Sequence, residues 1–189
     1  MGTMVRDGEL FQPWQVQIQA RIRPCVRADL PKLEWFGMFT PHQGLIQEAF
    51  ERQEKGENLM LVAEVNDFPA GQIWIDQARK RAEAAGVLWA MRVFPAMQKL
   101  GIGSRLLQAA EGVLAASEYA WAELSVAKEN PSAKAWYERR DYRVTDEEVN
   151  QYSFTTPDGF EARIAEDAWV MRKPLPALAG GVYADGGGR

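Results

Sequence analysis

An apolar segment that runs through a glycine loop into a long helix constrains the fold of this chain more than any other feature. The segment Gly86–Phe94 (GVLWAMRVF) predicts a buried central strand. Pro95 ends it, because proline lacks the N–H donor that a central strand needs. The stretch Ile102–Ser117 predicts an amphipathic helix, since its apolar residues share one face. Those residues are Ile102, Leu106, Leu107, Ala110, Val113 and Leu114.

Strand and helix patterns alternate along the rest of the chain. Strands are predicted over 16–23, 58–65, 70–76 and 121–126, with weaker signals over 142–145 and 168–172. Helices are predicted over 29–39, over 41–54, and from an Asn130 cap to about Arg140. This order predicts an α/β (α+β) fold with a single mixed, mostly antiparallel, twisted sheet of about six or seven strands flanked by helices. It does not predict a doubly wound nucleotide-binding fold.

The length of 189 residues predicts one domain with short additions at its ends. We expect an irregular N-terminal extension over 1–14 and a domain over 15–175. A glycine-rich tail is expected over 176–189, which contains five of the glycines: Gly180, Gly181, Gly186, Gly187 and Gly188.

The charge balance and two rare residue types exclude several functions. The 22 basic and 26 acidic residues give a net charge of −4, which argues against broad electrostatic binding to nucleic acid or an anionic membrane. The single Cys25 excludes an internal disulfide, and one Cys with one His (His42) excludes the usual Cys/His zinc sites, so no metal is expected. No G-x-S-x-G motif accompanies His42, which argues against a Ser-His-Asp hydrolase.

No apolar run approaches the ~20 residues of a membrane-spanning helix. The first residues, Met1–Leu10, contain no apolar stretch of signal-peptide length. The sequence therefore predicts a cytoplasmic protein without a membrane partner.

The loop between the central strand and the long helix is the first candidate site. The first turn of a helix leaves its N–H groups without partners, and the helix dipole favours an anion there. Gly101 and Gly103 lack a Cβ, so an anion can approach the backbone, and Gln98 and Lys99 add side-chain donors. By itself the loop fits either a phosphate site or ordinary turn chemistry.

Two common nucleotide motifs do not fit this loop. The dinucleotide fingerprint needs a third glycine where Leu106 stands, and no Gly-Lys pair of a P-loop occurs in the chain.

A second segment, Leu124–Tyr142, makes the prediction more specific. Together the two segments resemble the GCN5-related N-acetyltransferase (GNAT) superfamily. Its first motif, V-x-P-x-x-[QR]-x-x-G-x-[GA], is matched by Val93, Pro95, Gln98, Gly101 and Gly103. Its second motif, an Asn followed by Ala, Tyr-Glu and Gly-Phe, is similar to Asn130, Ala133, Tyr137, Glu138 and Asp141-Tyr142. The resemblance extends in element order from about Val16 to Lys173.

The resemblance implies that acetyl-CoA, the acyl donor, lies where the strand at 87–94 splays from the strand at 121–126. The main chain of Met91–Val93 would pair with the pantetheine arm, and the N–H groups of Lys99–Ser104 would hold the pyrophosphate. Asn130 would contact the pantetheine, and Tyr137 would protonate the leaving thiolate as general acid, or hydrogen-bond it. The implied donor-binding residues are Met91, Arg92, Val93, Gln98, Lys99, Leu100, Gly101, Ile102, Gly103, Ser104, Asn130 and Tyr137.

The sequence departs from the family pattern at three positions. Trp89 and Ser125 stand where many relatives carry a catalytic Glu on one strand or the other. Glu123 shares the sheet face of Ser125 by strand parity and is a candidate base acting through a water; the alternatives are solvent and the amine's own ionisation equilibrium. Asp141 replaces a helix-ending Gly, which is tolerable because Asp adopts the left-handed conformation more readily than most residues.

The resemblance implies transfer of an acetyl group to a primary amine by direct attack in a ternary complex. The acceptor is a small molecule or a peptide, and a homodimer is possible. Two alternatives stay open: a degenerate acyl-CoA-binding module, and an enzyme for a longer acyl-CoA. His42, Trp35 and Phe36 are candidates to line the acceptor site, whereas the run Asp146-Glu147-Glu148 is typical of a solvated face.

Overall fold

A computed structural model describes residues 17–155 and 159–177, and within them the chain forms seven strands and three α-helices. The strands are β1 (Ala20–Pro24), β2 (Asn58–Val65), β3 (Phe68–Asp76), β4 (Ala85–Val93), β5 (Trp121–Ala127), β6 (Arg143–Thr155) and β7 (Glu161–Pro174). The helices are α1 (Gln43–Glu54), α2 (Ile102–Ala116) and α3 (Pro131–Glu138). Short 3-10 helices cover Arg27–Glu34, Thr40–His42, Arg81–Glu83 and Pro95–Met97. The expected extension over 1–14 and all but two residues of the expected tail lie outside the described residues.

All seven strands join one sheet in the order β1-β2-β3-β4-β5-β7-β6. Neighbouring strands are antiparallel except for β4 and β5, which are parallel. This confirms the predicted mixed, mostly antiparallel sheet. The β2–β3 turn at Asn66-Asp67 places both residues at positive φ, as a tight hairpin turn requires.

Apolar side chains cover both faces of the sheet. One face packs against α2, whose buried residues include Leu106, Leu107 and Leu114. The other face packs against α1 through Ile46 and Phe50, with Trp74 buried beneath them. The predicted helix over 41–54 therefore forms, although its first residues adopt a 3-10 turn.

Two regions differ from the predicted elements. The strand β6 pairs with β7 over its whole length, from Arg143↔Arg172 to Thr155↔Glu161, far beyond the short strands predicted there. The charged residues at 146–148 interrupt the apolar alternation from which a strand is predicted. Charged side chains are nevertheless common on edge strands such as β6. The helix predicted over 29–39 is a 3-10 helix that ends where Trp35 adopts a φ of 46°.

The packing of α2 on β4 leaves no room for a side chain at Gly86. A Cβ at this position would lie 2.1 Å from Cδ2 of Leu114, which is fully buried. By contrast, a Cβ at Gly112, in the same helix as Leu114, would meet nothing within 4 Å.

We expect Gly86→Ala to lower the free energy of unfolding by about 1–3 kcal/mol, because the added methyl group overpacks the core. Gly112→Ala is the matched control and should raise it by about 0.5–1 kcal/mol, since alanine favours a helix interior. Urea unfolding of both variants tests this, and equal stabilities would contradict the packing described for Gly86.

Candidate functional site

The parallel strands β4 and β5 pair only at their start. The register runs from Ala85↔Trp121 to Leu88↔Leu124 and ends there. Beyond Leu88, the edge of β4 that faces β5 has no strand partner, although its other edge continues to pair with β3 as far as Val93. This confirms the predicted separation of the two strands, which opens a cleft through the sheet.

A β-bulge in β4 accompanies the separation. Trp89 pairs with Trp74 and Arg92 pairs with Gln72, so two residues of β4 lie opposite a single residue of β3. Within the bulge, Ala90 has a φ of 49°, in the left-handed region that residues with a Cβ rarely adopt. A bulge bends its strand, and this one turns β4 away from β5.

The cleft leads to the N-terminus of α2. Gly101 caps this helix with a φ of 83°, and Lys99 also has a positive φ, of 63°. The first bond of the helix joins Arg105 N–H to the Gly101 carbonyl at 3.1 Å, so the N–H groups before it have no acceptor in the helix. A Cβ at Gly101 would meet nothing within 4 Å, so the space in front of these donors is open. The residues fit the phosphate cradle that the sequence predicts.

Arg140 adds a positive charge to this cradle and was missed by the sequence analysis. Its guanidinium donates to Ser104 Oγ at 2.7 Å, in the first turn of α2, and to the Trp136 carbonyl at 2.9 Å. It also stacks 3.6 Å from the centre of the Trp136 ring. The second motif gives no signal for this contact, because Arg140 lies beyond α3 and meets α2 only in the folded chain. Gln98 bends back instead and donates to the Val93 carbonyl at 3.2 Å.

Tyr137 of α3 lies on the α2 side of the cleft. Its hydroxyl donates to Met91 Sδ at 3.2 Å, so it reaches the unpaired part of β4. Burial raises the pKa of Tyr137 to about 12, although the charge of Arg140 opposes the shift. The phenol therefore stays protonated at neutral pH and can act as a hydrogen-bond donor.

Asn130 stands where β5 gives way to α3. Its Oδ1 accepts from Ala133 N–H at 3.0 Å and from Ser132 Oγ at 2.9 Å, which confirms the predicted N-cap. Its side-chain NH2 group takes no part in the cap. At the other end of α3, Asp141 has a φ of 68°, so it adopts the left-handed conformation expected where relatives carry Gly.

A cavity of about 560 Å³ lies on the opposite side of the cleft, facing α1. Trp89 and Ala90 form part of its floor, His42 and Leu45 form one wall, and the β6–β7 hairpin supplies another. The side chains from the hairpin and from β5 are Ser125, Glu148, Asn150, Gln151 and Glu166.

Of the three residues expected to line an acceptor site, the structure places only His42 in this cavity. Burial and the nearby charge of Arg92 lower the pKa of His42, so its imidazole is neutral at pH 7. Trp35 is instead 2% exposed and donates its indole N–H to the Pro69 carbonyl at 2.7 Å. Phe36 is 85% exposed and stacks on Phe68.

The geometry argues against the predicted base role of Glu123. Its carboxylate is 3% exposed and binds Lys80 through Oε1 and Arg172 through Oε2, the latter at 2.6 Å. Glu123 also pairs with Val87, within the closed part of the two parallel strands. To accept a proton this carboxylate would have to give up two ion pairs. It serves instead to tie β5 to β7 and to the loop before β4.

Two further findings concern residues 17–155 and 159–177 only. No helix there is long and apolar enough to cross a lipid bilayer. Nor does that part of the chain contain a group of three or more His, Cys, Asp or Glu side chains that could hold a metal ion.

Comparison with known proteins bears on both the fold and the cleft. A family model described as an acetyltransferase (GNAT) domain matches residues 34–156, which include the cleft, the α2 loop and α3. A comparison with curated proteins found no match.

Several solved structures share the fold. The ribosomal-protein-S18-alanine N-acetyltransferase of Escherichia coli is 22% identical, with a TM-score of 0.65 over 87% of this chain and 99% of that one. Ard1 of Thermoplasma volcanium is 17% identical, with a TM-score of 0.65 over 83% of this chain and 98% of that one. A spermidine N-acetyltransferase chimera from Vibrio cholerae and hSSAT is 16% identical, with a TM-score of 0.64 over 82% and 95%. At such identities the likeness concerns the fold.

The cap of α3 provides a test of the wall that carries Tyr137. We expect Asn130→Ala to lower the free energy of unfolding by about 1 kcal/mol, because the Ala133 N–H loses its acceptor. Asn130→Asp replaces the amide oxygen by a carboxylate oxygen in the same place, so its free energy of unfolding should remain close to that of the wild type. Urea unfolding compares the three proteins, and an Asp variant as unstable as the Ala variant would contradict the capping role.

Proposed function

The chain belongs to the GNAT acetyltransferase family, and we propose that it transfers the acetyl group of acetyl-CoA to a primary amine by direct attack in a ternary complex. The observation that carries this proposal is the cleft between β4 and β5, where an unpaired strand edge meets the N-terminus of α2 and the hydroxyl of Tyr137. The donor supplies a thioester, and the residues around the cleft bind it, orient it and stabilise the charge that develops.

Three features of the cleft fit the donor. Beyond Leu88 the main chain of β4 has no strand partner toward β5, so the segment Met91–Val93 can pair with the amides of a pantetheine arm, as a strand edge pairs with an extended peptide, once Gln98 releases the Val93 carbonyl. The N–H groups of Lys99–Ser104 suit a pyrophosphate, and the Arg140 guanidinium beside Ser104 strengthens the attraction. The side-chain NH2 group of Asn130 can donate to the pantetheine, since the cap uses only Oδ1.

Two donors would stabilise the reacting atoms. A main-chain N–H of the bulged strand near Met91 can donate to the oxyanion that forms when the thioester carbonyl is attacked. Tyr137 can donate to the leaving sulfur. A cysteine thiol has a pKa of about 8.5, and the phenol, with a pKa of about 12, is a weaker acid than an alkyl thiol, so full proton transfer from Tyr137 is uphill. Of the two predicted roles, the raised pKa therefore favours hydrogen bonding to the thiolate over its protonation.

The acceptor side of the cleft fits an amine on a small molecule or a peptide. Its cavity is of modest volume and opens at the point where β4 and β5 part. Among the proteins of similar fold, one acts on a ribosomal-protein alanine and one on spermidine, so the fold serves both kinds of acceptor.

Saturating acetyl-CoA should raise the midpoint of thermal unfolding. A ligand at about 100 times its dissociation constant adds roughly 2.7 kcal/mol, which is about 5–10 °C for a domain of this size. NADH and ATP serve as controls, because the cleft offers no nucleotide fingerprint. A shift with longer acyl-CoA but none with acetyl-CoA would favour a longer acyl donor, and no shift with any acyl-CoA would overturn the proposed site.

Turnover is then measured as free thiol released from acetyl-CoA with three amines: an alanine-initiated tripeptide, Nα-acetyllysine and spermidine. Acetyl-CoA binding without thiol release from any of them would instead favour an acyl-CoA-binding module.

Tyr137→Phe should lower kcat by roughly 10- to 100-fold, because a hydrogen bond to a charged group is worth about 1.5–3 kcal/mol. Since the phenol stays protonated across the neutral range, the ratio of wild-type to variant kcat should not change with pH there. Tyr119→Phe is the matched control, since the Tyr119 hydroxyl donates to the Gln77 carbonyl, outside the cleft. An unchanged kcat in Tyr137→Phe would contradict the assignment.

A further inference from the structure

We propose that Glu148 of β6 is the general base that takes the proton from the acceptor amine. This inference rests on the proposed function, and it assigns the base to a strand outside the parallel pair. It follows from four observations: the position of Ser125, its contact with Glu148, the freedom of that carboxylate from cations, and the arrangement of the other charges in the cavity.

Ser125 marks the mouth of the cleft. It follows Leu124, the last residue of β5 that pairs with β4, and its side chain lines the acceptor cavity. A carboxylate at this place could take a proton from a nucleophile that approaches the cleft. The sequence has only a hydroxyl there.

The carboxylate of Glu148 occupies the place next to that hydroxyl. Ser125 Oγ donates a hydrogen bond to Glu148 Oε1, from β5 to β6 across the intervening strand β7. The register places the two residues diagonally on one face of the sheet: Ser125 pairs with Val170, and Glu148 pairs with Ala168, the next residue of β7 on that face. The β6–β7 hairpin thus supplies a carboxylate next to Ser125, at the mouth of the cleft.

Glu148 and Glu123 differ in their partners. Glu123 is held by two cations, whereas within the described residues Glu148 forms no ion pair and accepts only the Ser125 hydroxyl. A carboxylate held by a neutral donor can take up a proton without losing an ion pair. Glu148 also lines the cavity, whereas Glu123 does not.

The other charged or titratable side chains that line the cavity are His42, Arg52, Asp76, Arg79, Arg92 and Glu166. Asp76 is bound by Arg52 at 2.9 Å and by two backbone N–H groups, so its oxygens are already used. Glu166 pairs with Asn150, two residues further along the hairpin than Glu148, so it starts roughly 6.6 Å further than Glu148 from Ser125 along the strands. For His42, the nearby charge of Arg92 opposes uptake of a proton.

The nitrogen of the neutral amine forms a bond to the carbonyl carbon of the thioester, and its proton passes to the Glu148 carboxylate as the nitrogen becomes acidic. The carbon–sulfur bond then breaks, and its electron pair leaves with sulfur, which accepts the hydrogen bond from Tyr137. Glu148 returns the proton to solvent after the amide product leaves.

The test compares Glu148→Gln with Glu147→Gln in the thiol-release assay over a range of pH. The amide oxygen introduced by Glu148→Gln can still accept from Ser125, so the fold is preserved, and an unchanged thermal shift with acetyl-CoA verifies this. Glu147 is the matched control because its side chain lies on the opposite face of β6, where it forms an ion pair with Lys128. His42→Gln is measured alongside as the competing base.

We expect Glu148→Gln to lower kcat/KM at neutral pH by about 100-fold or more, within the range of general-base catalysis. The ratio of wild-type to variant rate should fall as the pH rises, because hydroxide replaces the missing base. Ionisation of the amine affects both proteins equally and cancels in this ratio. Glu147→Gln should match the wild type.

Three outcomes would overturn the inference while leaving the proposed function intact. They are a Glu148→Gln variant as active as Glu147→Gln, a loss that is constant over pH, and a pH-dependent loss in His42→Gln instead. If the wild type binds acetyl-CoA but releases no thiol with any of the three amines, the proposed function itself fails, and the inference fails with it.

Discussion

The end of strand pairing between Leu88 and Leu124 is the constraint on which the rest of the site depends. Two parallel strands that stayed paired would satisfy each other's peptide groups and leave no entrance to the sheet. Here the bulge at Ala90 turns β4 away, so its N–H and C=O groups lose a partner at the place where a ligand can supply one. Pairing with β3 continues on the other edge, which holds the bent strand in place.

The closed half of the strand pair is held by charge, and this explains why its carboxylate is unsuited to catalysis. Glu123 joins Lys80, before β4, to Arg172, on β7, and Arg172 also binds Glu83. These ion pairs lie beside the paired residues Val87 and Glu123, just before β4 and β5 separate. Breaking a buried ion pair by removing one partner is costly. A proton on Glu123 would therefore weaken the ion pairs that hold β4, β5 and β7 together next to the cleft.

Most of the local backbone geometry beside the cleft on the α2 side could be predicted from the sequence, because its signals are local. The loop, the glycine cap and the N-cap each depend on a few consecutive residues, and Gly101, Asn130 and Asp141 adopt the backbone geometry that their residue types favour. The contact of Arg140 with Ser104 joins α3 to α2 and has no local signature. The cavity beside Trp89 depends on the β6–β7 hairpin, and the length of that hairpin was missed because charged residues interrupt the apolar alternation on which strand prediction relies.

A general base in the position proposed for Glu148 escapes a search along the sequence. A motif fixes a residue type at a fixed spacing, whereas a reaction requires a functional group at a point in space. In a sheet, one point on a face can be reached from its own strand or from a strand two positions away, provided that the side chain is long enough to cross the intervening strand. Ala168 of β7 is small and fully buried, and the Glu148 side chain reaches over that strand to the Ser125 hydroxyl. The small residue on β7 and the short residue on β5 together make room for a carboxylate that comes from β6. The acidic run at 146–148 therefore divides by strand parity: Glu147 binds Lys128 on one face, while Glu148 lies on the face of the cavity.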